Sequence, residues 1–164
     1  MNAEAARRRQ TAREQDRSEI RPEDVADLLI QLMPRLLRTA IAAMHEAPHT
    51  AGMTLAQFKV LGRLSECDYR AGELAELLEI GGATLTVTAD TLERRGLIER
   101  VRGLPGDRRA VLLRLTPAGQ TLYRALRARA VAGIAELLTG TTPDERDALM
   151  TGLQALRRSL EPGW

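Results

Sequence analysis

Seven arginines crowd the segment from Glu93 to Arg114, at positions 94, 95, 100, 102, 108, 109 and 114, against the three acids Glu93, Glu99 and Asp107. That local surplus of +4 stands out in a chain whose formal net charge is only +2. A guanidinium presents several N–H donors in a planar fork, which suits phosphate contacts and insertion into a nucleic-acid groove better than an ammonium does. All basic side chains except Lys59 are arginine, so composition alone reads equally well as a general enrichment, and the position of the cluster has to decide. Other chemistry has few candidates. His45, His49 and Cys67 are the only imidazoles and thiol in the chain. They give no paired spacing for zinc, and the sequence carries no phosphate-cradling glycine loop and no nucleophile elbow. Gly81-Gly82 stands at a helix start and reads as a turn. No catalytic residue, metal or cofactor is expected.

The arginines need elements to hold them. With 2% aromatic residues, the core must come from Leu, Ala, Val, Ile and Met, a composition that favours helices. Residues 1–18 are polar, with mixed charge and no periodic stripe, and read as a disordered tail or a loose extra helix. From Pro22, Val25, Leu28, Leu29, Leu32, Leu36, Leu37, Ile41 and Met44 recur at spacings of three and four, with Pro34 expected to kink the run. Pro48 and Gly52 mark a loop. Thr54 to Gln57 is a capping box opening a helix with Leu55, Phe58, Leu61 and Leu64 on its core side. A short helix with Leu74, Ala75, Leu77 and Leu78 follows, and Gly81-Gly82 ends it. A longer helix runs to about Arg95, with Gly96 where a left-handed cap is wanted.

The period then changes. Residues 97–101 and 110–115 read as strands, and Gly103, Pro105 and Gly106 between them predict a hairpin with an arginine-bearing tip. Thr116-Pro117 starts another helix, carrying Leu122, Leu126, Val131, Ile134, Leu137 and Leu138 to about Gly140. Thr142 to Glu145 is a second capping box, opening a last helix with Leu149, Leu153, Leu156 and Leu160. Two short helices, a longer helix and a basic two-stranded wing, in that order, make a winged helix-turn-helix. The fold class is mainly α with a small β-hairpin wing. A helix fits the major groove of B-DNA with its N-terminal residues at the base edges, and an adjacent hairpin can place arginine in the minor groove. The remaining helices have apolar faces too extensive for one small wing domain to cover.

The segments MTLAQFKVLGRL, GELAELLEI, TLTVTADTLERRGLIERV and PGDRRAVLLRLTPAG resemble the MarR family of bacterial transcriptional regulators over roughly residues 25–160. The last is the most specific: Asp-x-Arg on the wing, an apolar strand, then Leu-Thr-x-x-Gly opening the next helix. The resemblance implies that Arg109 enters the minor groove, Asp107 orients it and Arg108 points to the phosphates. The alternative for Asp107 and Arg109 is a surface ion pair that stiffens the hairpin. The implied recognition helix runs from about Ala83 to Arg95, with Ala83, Thr84, Thr86, Val87, Thr88 and Thr91 towards the bases and Arg94, Arg95 and Arg102 towards phosphates. The family commonly has arginine where this chain has Val87, and again at Thr91, so readout in the major groove shifts towards the wing and DNA shape.

The resemblance further implies a single domain over 19–164. The winged helix-turn-helix would occupy 54–115, and helices 22–47 and 117–160 would interlock two copies as a homodimer. A ligand-responsive repressor on a pseudo-palindromic operator is the function implied. A small effector, aromatic or anionic, would lie near Arg38, Met44, His45, His49 and Phe58, although the two histidines read more simply as loop or capping residues. Cys67 follows the second helix, whereas the family's sensing cysteine lies in the first, so it reads as incidental. The N-terminus has no apolar segment like that of a secretion signal, and no run approaches the ~18 apolar residues of a membrane helix. A cytoplasmic protein is expected. The competing reading keeps the fold but not the DNA: a winged-helix protein–protein adaptor or antirepressor, favoured by Val87 and Thr91 in place of arginines.

Overall fold

The computed structural model of the 164-residue chain describes residues 20–45, 52–104 and 107–160. The tail at 1–18, His49 and the turn at Pro105-Gly106 lie outside the described residues. Among them, six helices and three strands follow in the order α1 (Pro22–His45), α2 (Leu55–Leu64), β1 (Tyr69–Arg70), α3 (Ala71–Leu77), α4 (Gly82–Arg94), β2 (Ile98–Leu104), β3 (Asp107–Leu115), α5 (Pro117–Leu137) and α6 (Pro143–Leu160). The chain divides into two compact units, residues 1–38 and 39–164, with the boundary inside α1. In the first unit α1 is helical through Pro34 and buries none of its apolar residues.

The second unit is organised around one apolar core. Met44 and Met53 enter it from the ends of the first loop, Val60, Leu61 and Leu64 from α2, Leu74 and Ala75 from α3, Leu85, Ala89 and Leu92 from α4, and Ile98, Leu113 and Leu126 close it. The three-stranded sheet has the order β1-β3-β2, both pairings antiparallel. Ile98 lies opposite Leu115 and Arg102 opposite Val111, with an irregularity between Arg102 and Leu104. The hairpin is therefore longer than the two short runs suggest. The third strand was not anticipated: Tyr69 and Arg70 pair with Leu113 and Leu112 in the gap between α2 and α3.

Local chemistry fixes the helix ends where the sequence places them. Thr54 accepts from the Gln57 amide while its own N–H donates to the Gln57 side chain. Glu145 and Thr142 reciprocate in the same way at α6. Such a cap satisfies amides that the first helical turn leaves without carbonyl partners. At the end of α4, Gly96 has φ +68°. Its N–H donates to the Glu93 carbonyl and that of Leu97 to the Leu92 carbonyl, the paired closure that a left-handed residue permits. The same closure ends α3, with Glu79 at φ 53° in the position that favours glycine.

Helix α6 has no buried residue. Leu149, Leu153, Leu156 and Leu160, at i, i+4, i+7 and i+11, make one exposed apolar stripe.

Candidate nucleic-acid interface

Helix α4 turns its Leu85, Thr88, Ala89 and Leu92 face to the core. The opposite side carries Ala83, Val87, Asp90 and Arg94 at i, i+4, i+7 and i+11, all exposed, with Thr84 and Thr86 on its flanks and Thr91 half-buried. Five of the six residues expected towards the bases therefore share the accessible side. Thr88 does not. It is 8% exposed and its hydroxyl donates to the Thr84 carbonyl at 2.8 Å, so it is a core-facing residue and leaves the candidate set.

The hairpin is tied to α4 by Arg100. From β2 its guanidinium donates to Asp90 at 2.5 Å and also to Glu93, both on α4. The pKa of Arg100 is raised, first by the hydrogen bond to Asp90. Arg114 on β3 makes a comparable bridge to Asp68 at 2.7 Å and reaches Glu99 at 3.7 Å. These two arginines of the basic cluster therefore serve the fold. Arg94, Arg95 and Arg102 are exposed. Arg94 lies along its own helix, its Nε donating to the Asp90 carbonyl and a terminal nitrogen to the Thr91 hydroxyl. Asp107, Arg108 and Arg109 open β3 beside the turn, Asp107 opposite Leu104.

The base of the hairpin meets the start of α5 through Thr116. Its hydroxyl donates to the Gly96 carbonyl at 2.7 Å and accepts from the Gly119 amide at 3.0 Å, and its N–H donates to the Leu97 carbonyl at 3.1 Å. A Cβ on Gly119 would stand 2.0 Å from the Leu97 oxygen, so only glycine fits. The Leu-Thr-x-x-Gly segment thus has a physical reading: one threonine and one glycine join the end of α4, the base of the hairpin and the start of α5.

The residues expected around a ligand pocket fall in different surroundings. Met44 is 2% exposed and belongs to the core. His45 Nε2 donates to the Met53 carbonyl at 2.8 Å, closing the loop as a capping residue would. Arg38 falls in the first unit. Phe58 does line a groove of about 760 Å³, with Lys59 and Arg63 from α2, Leu78 and Glu79 beyond α3, and Tyr123 from α5. The Phe58 and Tyr123 rings lie 5.4 Å apart between centroids, and Tyr123 reaches α2 because position 62 is glycine. Tyr123 was missed from the sequence, its neighbour Leu122 carrying the apolar period.

The helix–strand order, the outward face of α4 and the Thr116 junction agree with what the sequence segments resemble. The MarR family model matches residues 53–111. The HTH-type transcriptional regulator YfiV of Bacillus subtilis is 30% identical over 112 residues, covering 66% of this chain and 68% of that protein. This chain belongs to the MarR family. The transcriptional repressor MdtR of Bacillus subtilis is 33% identical over 103 residues, covering 62% of this chain and 66% of the repressor. The crystal structure of a MarR family protein from Bacillus stearothermophilus superposes with a TM-score of 0.71 at 25% identity, covering 86% of this chain and 98% of that one. Membership of the MarR family makes the protein a transcriptional regulator and not an enzyme. No described helix is long and apolar enough to cross a membrane.

Proposed function

We propose that this MarR-family protein is a ligand-responsive repressor that binds a pseudo-palindromic operator as a homodimer. The observation that carries the reading is the division of labour among the clustered arginines. Arg100 and Arg114 are committed to Asp90, Glu93, Asp68 and Glu99, so among the described side chains the surplus positive charge falls to Arg94, Arg95 and Arg102, and the sequence adds Arg108 and Arg109 at the start of β3. In this reading α4 enters the major groove, through Ala83, Thr84, Thr86, Val87 and Thr91. Arg109 enters the neighbouring minor groove with Asp107 orienting it, and Arg108, Arg94, Arg95 and Arg102 meet phosphates.

Two copies would pair through α1, α5 and α6, completing the single domain over 19–164. The exposed stripe on α6 and the exposed Val25, Leu28, Leu32 and Leu36 on α1 support this, since apolar stripes of that length are covered in stable proteins. A dimer of this kind meets half-sites about one helical turn apart. Repression follows the likeness to MdtR, which is named a repressor. A small aromatic or anionic effector fits the groove where Phe58 and Tyr123 offer ring faces and Lys59 a cation. It would act by favouring a dimer whose recognition helices no longer match the operator spacing.

The test is binding to DNA from immediately upstream of the protein's own gene, wild type against Arg109→Ala, over a salt series. Wild type should bind specifically and lose affinity steeply with salt as phosphate contacts release counterions. Arg109→Ala should cost about 1–3 kcal/mol. Binding that is absent at low salt would replace the regulator with the adaptor reading, and binding untouched by Arg109→Ala would remove the wing residue from the interface.

A further inference from the structure

The outward face of α4 is unusual for a helix meant to read hydrogen-bonding edges, because most of its donors are already in use. The Thr86 hydroxyl donates to the Gly82 carbonyl at 2.9 Å, and the Thr91 hydroxyl donates to the Val87 carbonyl at 2.9 Å. Each is left with a γ-methyl and an oxygen that has no hydrogen to give. Thr91 also receives the Arg94 guanidinium at 3.2 Å. Between them stands Val87, among the described residues the most exposed large apolar side chain of the second unit at 67%, one helical turn beyond the exposed methyl of Ala83. Val87 stands at the middle of the exposed stripe, clear of the core-facing residues of α4. Charge enters the stripe only in its C-terminal half, at Asp90 and Arg94, and Asp90 is engaged by Arg100. Among the exposed side chains of the first two turns, Ala83, Thr86 and Val87 thus offer methyl groups, beside the Thr84 hydroxyl and the N–H groups that open the helix.

We propose that this helix recognises the C5-methyl groups of thymine in the major groove, with Val87 as the specificity-determining residue and the Ala83 and Thr86 methyls beside it. The inference rests on the DNA-binding reading and names which feature of the base pair is read. In the major groove thymine alone among the four bases presents a methyl group, so an apolar patch discriminates T·A from the other pairs. The energy comes from removing methyl surface from water. One methyl so buried is worth about a fourfold change in affinity, and two symmetry-related methyls together about fifteenfold.

The experiment begins with selection of operator DNA from a random duplex pool by the full-length protein. Each thymine of the enriched half-site is then replaced in turn by deoxyuridine, which pairs identically and lacks only the methyl. Affinities are measured by fluorescence anisotropy at fixed salt for wild type and for Val87→Ala, a surface change that removes no core contact. At one or more thymines per half-site, wild type should bind the deoxyuridine duplex about fourfold more weakly. In Val87→Ala that penalty should fall below twofold at the same position. Equal binding of thymine and deoxyuridine duplexes at every position overturns the proposal, as does a penalty of unchanged size in Val87→Ala. Those outcomes leave DNA binding intact. A pool that yields no enriched sequence removes the DNA-binding reading and the methyl proposal together.

Discussion

Leu92 and Leu153 are the same residue type in two helices of one chain, and their surroundings are opposite. Leu92, in α4, is 0% exposed and packed on every side by residues of its own chain, whereas Leu153, in α6, is 48% exposed. The contrast extends to the regions around them. From Leu55 to Leu115 the chain buries its apolar residues against its own neighbours, Met44, Met53 and Leu126 included, with Leu61, Leu74, Leu85, Ile98 and Leu113 all removed from water. In α1 and α6 the leucine period is as regular, yet α6 buries nothing and α1 buries only Met44. A hydrophobic period therefore states that a face will be covered without stating by what. In the winged segment the cover is the next element in sequence; in the flanking helices it comes from a second molecule under the proposal above.

The comparison can be broken most sharply at the junction between the regions. Gly119→Ala should cost about 4 kcal/mol or more in chemical denaturation, since its Cβ would collide with the Leu97 carbonyl and neither backbone can give. A loss below about 1 kcal/mol would mean that the winged segment and α5 are not locked there. Next in size is the leucine pair. Leu92→Ala should lose about 2–5 kcal/mol at every protein concentration. Leu153→Ala should act through self-association instead, so its effect on Tm grows as the protein is diluted. Equal and concentration-independent losses for both would erase the distinction between a self-closed and a shared core.

The smallest effect is electrostatic and confined to α6. The Thr142 N–H bonded to the Glu145 carboxylate holds its pKa below the ordinary 4.5, aided by the Thr142 hydroxyl. A depressed folded-state pKa means stability that is present above about 4.5 and is lost as pH falls through and below that value. Amide protection at the start of α6, measured as exchange relative to the intrinsic rate at each pH, should therefore fall on acidification below pH 4.5 in wild type. It should stay flat in Glu145→Gln, which keeps a capping side chain without the titration. The same loss of protection in Glu145→Gln would assign the effect elsewhere.

Much of this architecture is legible in the sequence because it depends on local rules. Thr54, Thr116 and Thr142 mark helix starts through their own hydroxyls, and Gly96 marks an end through its own backbone freedom. What escapes is whatever depends on a partner distant along the chain. Tyr69-Arg70 is too short to show a period and is a strand only because β3 lies beside it. Arg100 and Arg114 look like members of a basic patch until Asp90, Glu93 and Asp68 come within reach. Thr88 reads like Thr84, Thr86 and Thr91, since one residue type serves both faces of α4, and only burial separates them. Met44 is likewise a core residue at the end of a helix, where a pocket was expected.

The Thr116 junction has a mechanical consequence. Its three hydrogen bonds and the close seat of Gly119 leave no slack residue between the end of α4, the foot of the hairpin and the first turn of α5. A twist applied along α5 cannot be absorbed there, so helix and hairpin must swing together like the head of a key on its shaft. A movement of α5 passed through this junction would change where α4 and the hairpin lie and leave their mutual arrangement unaltered.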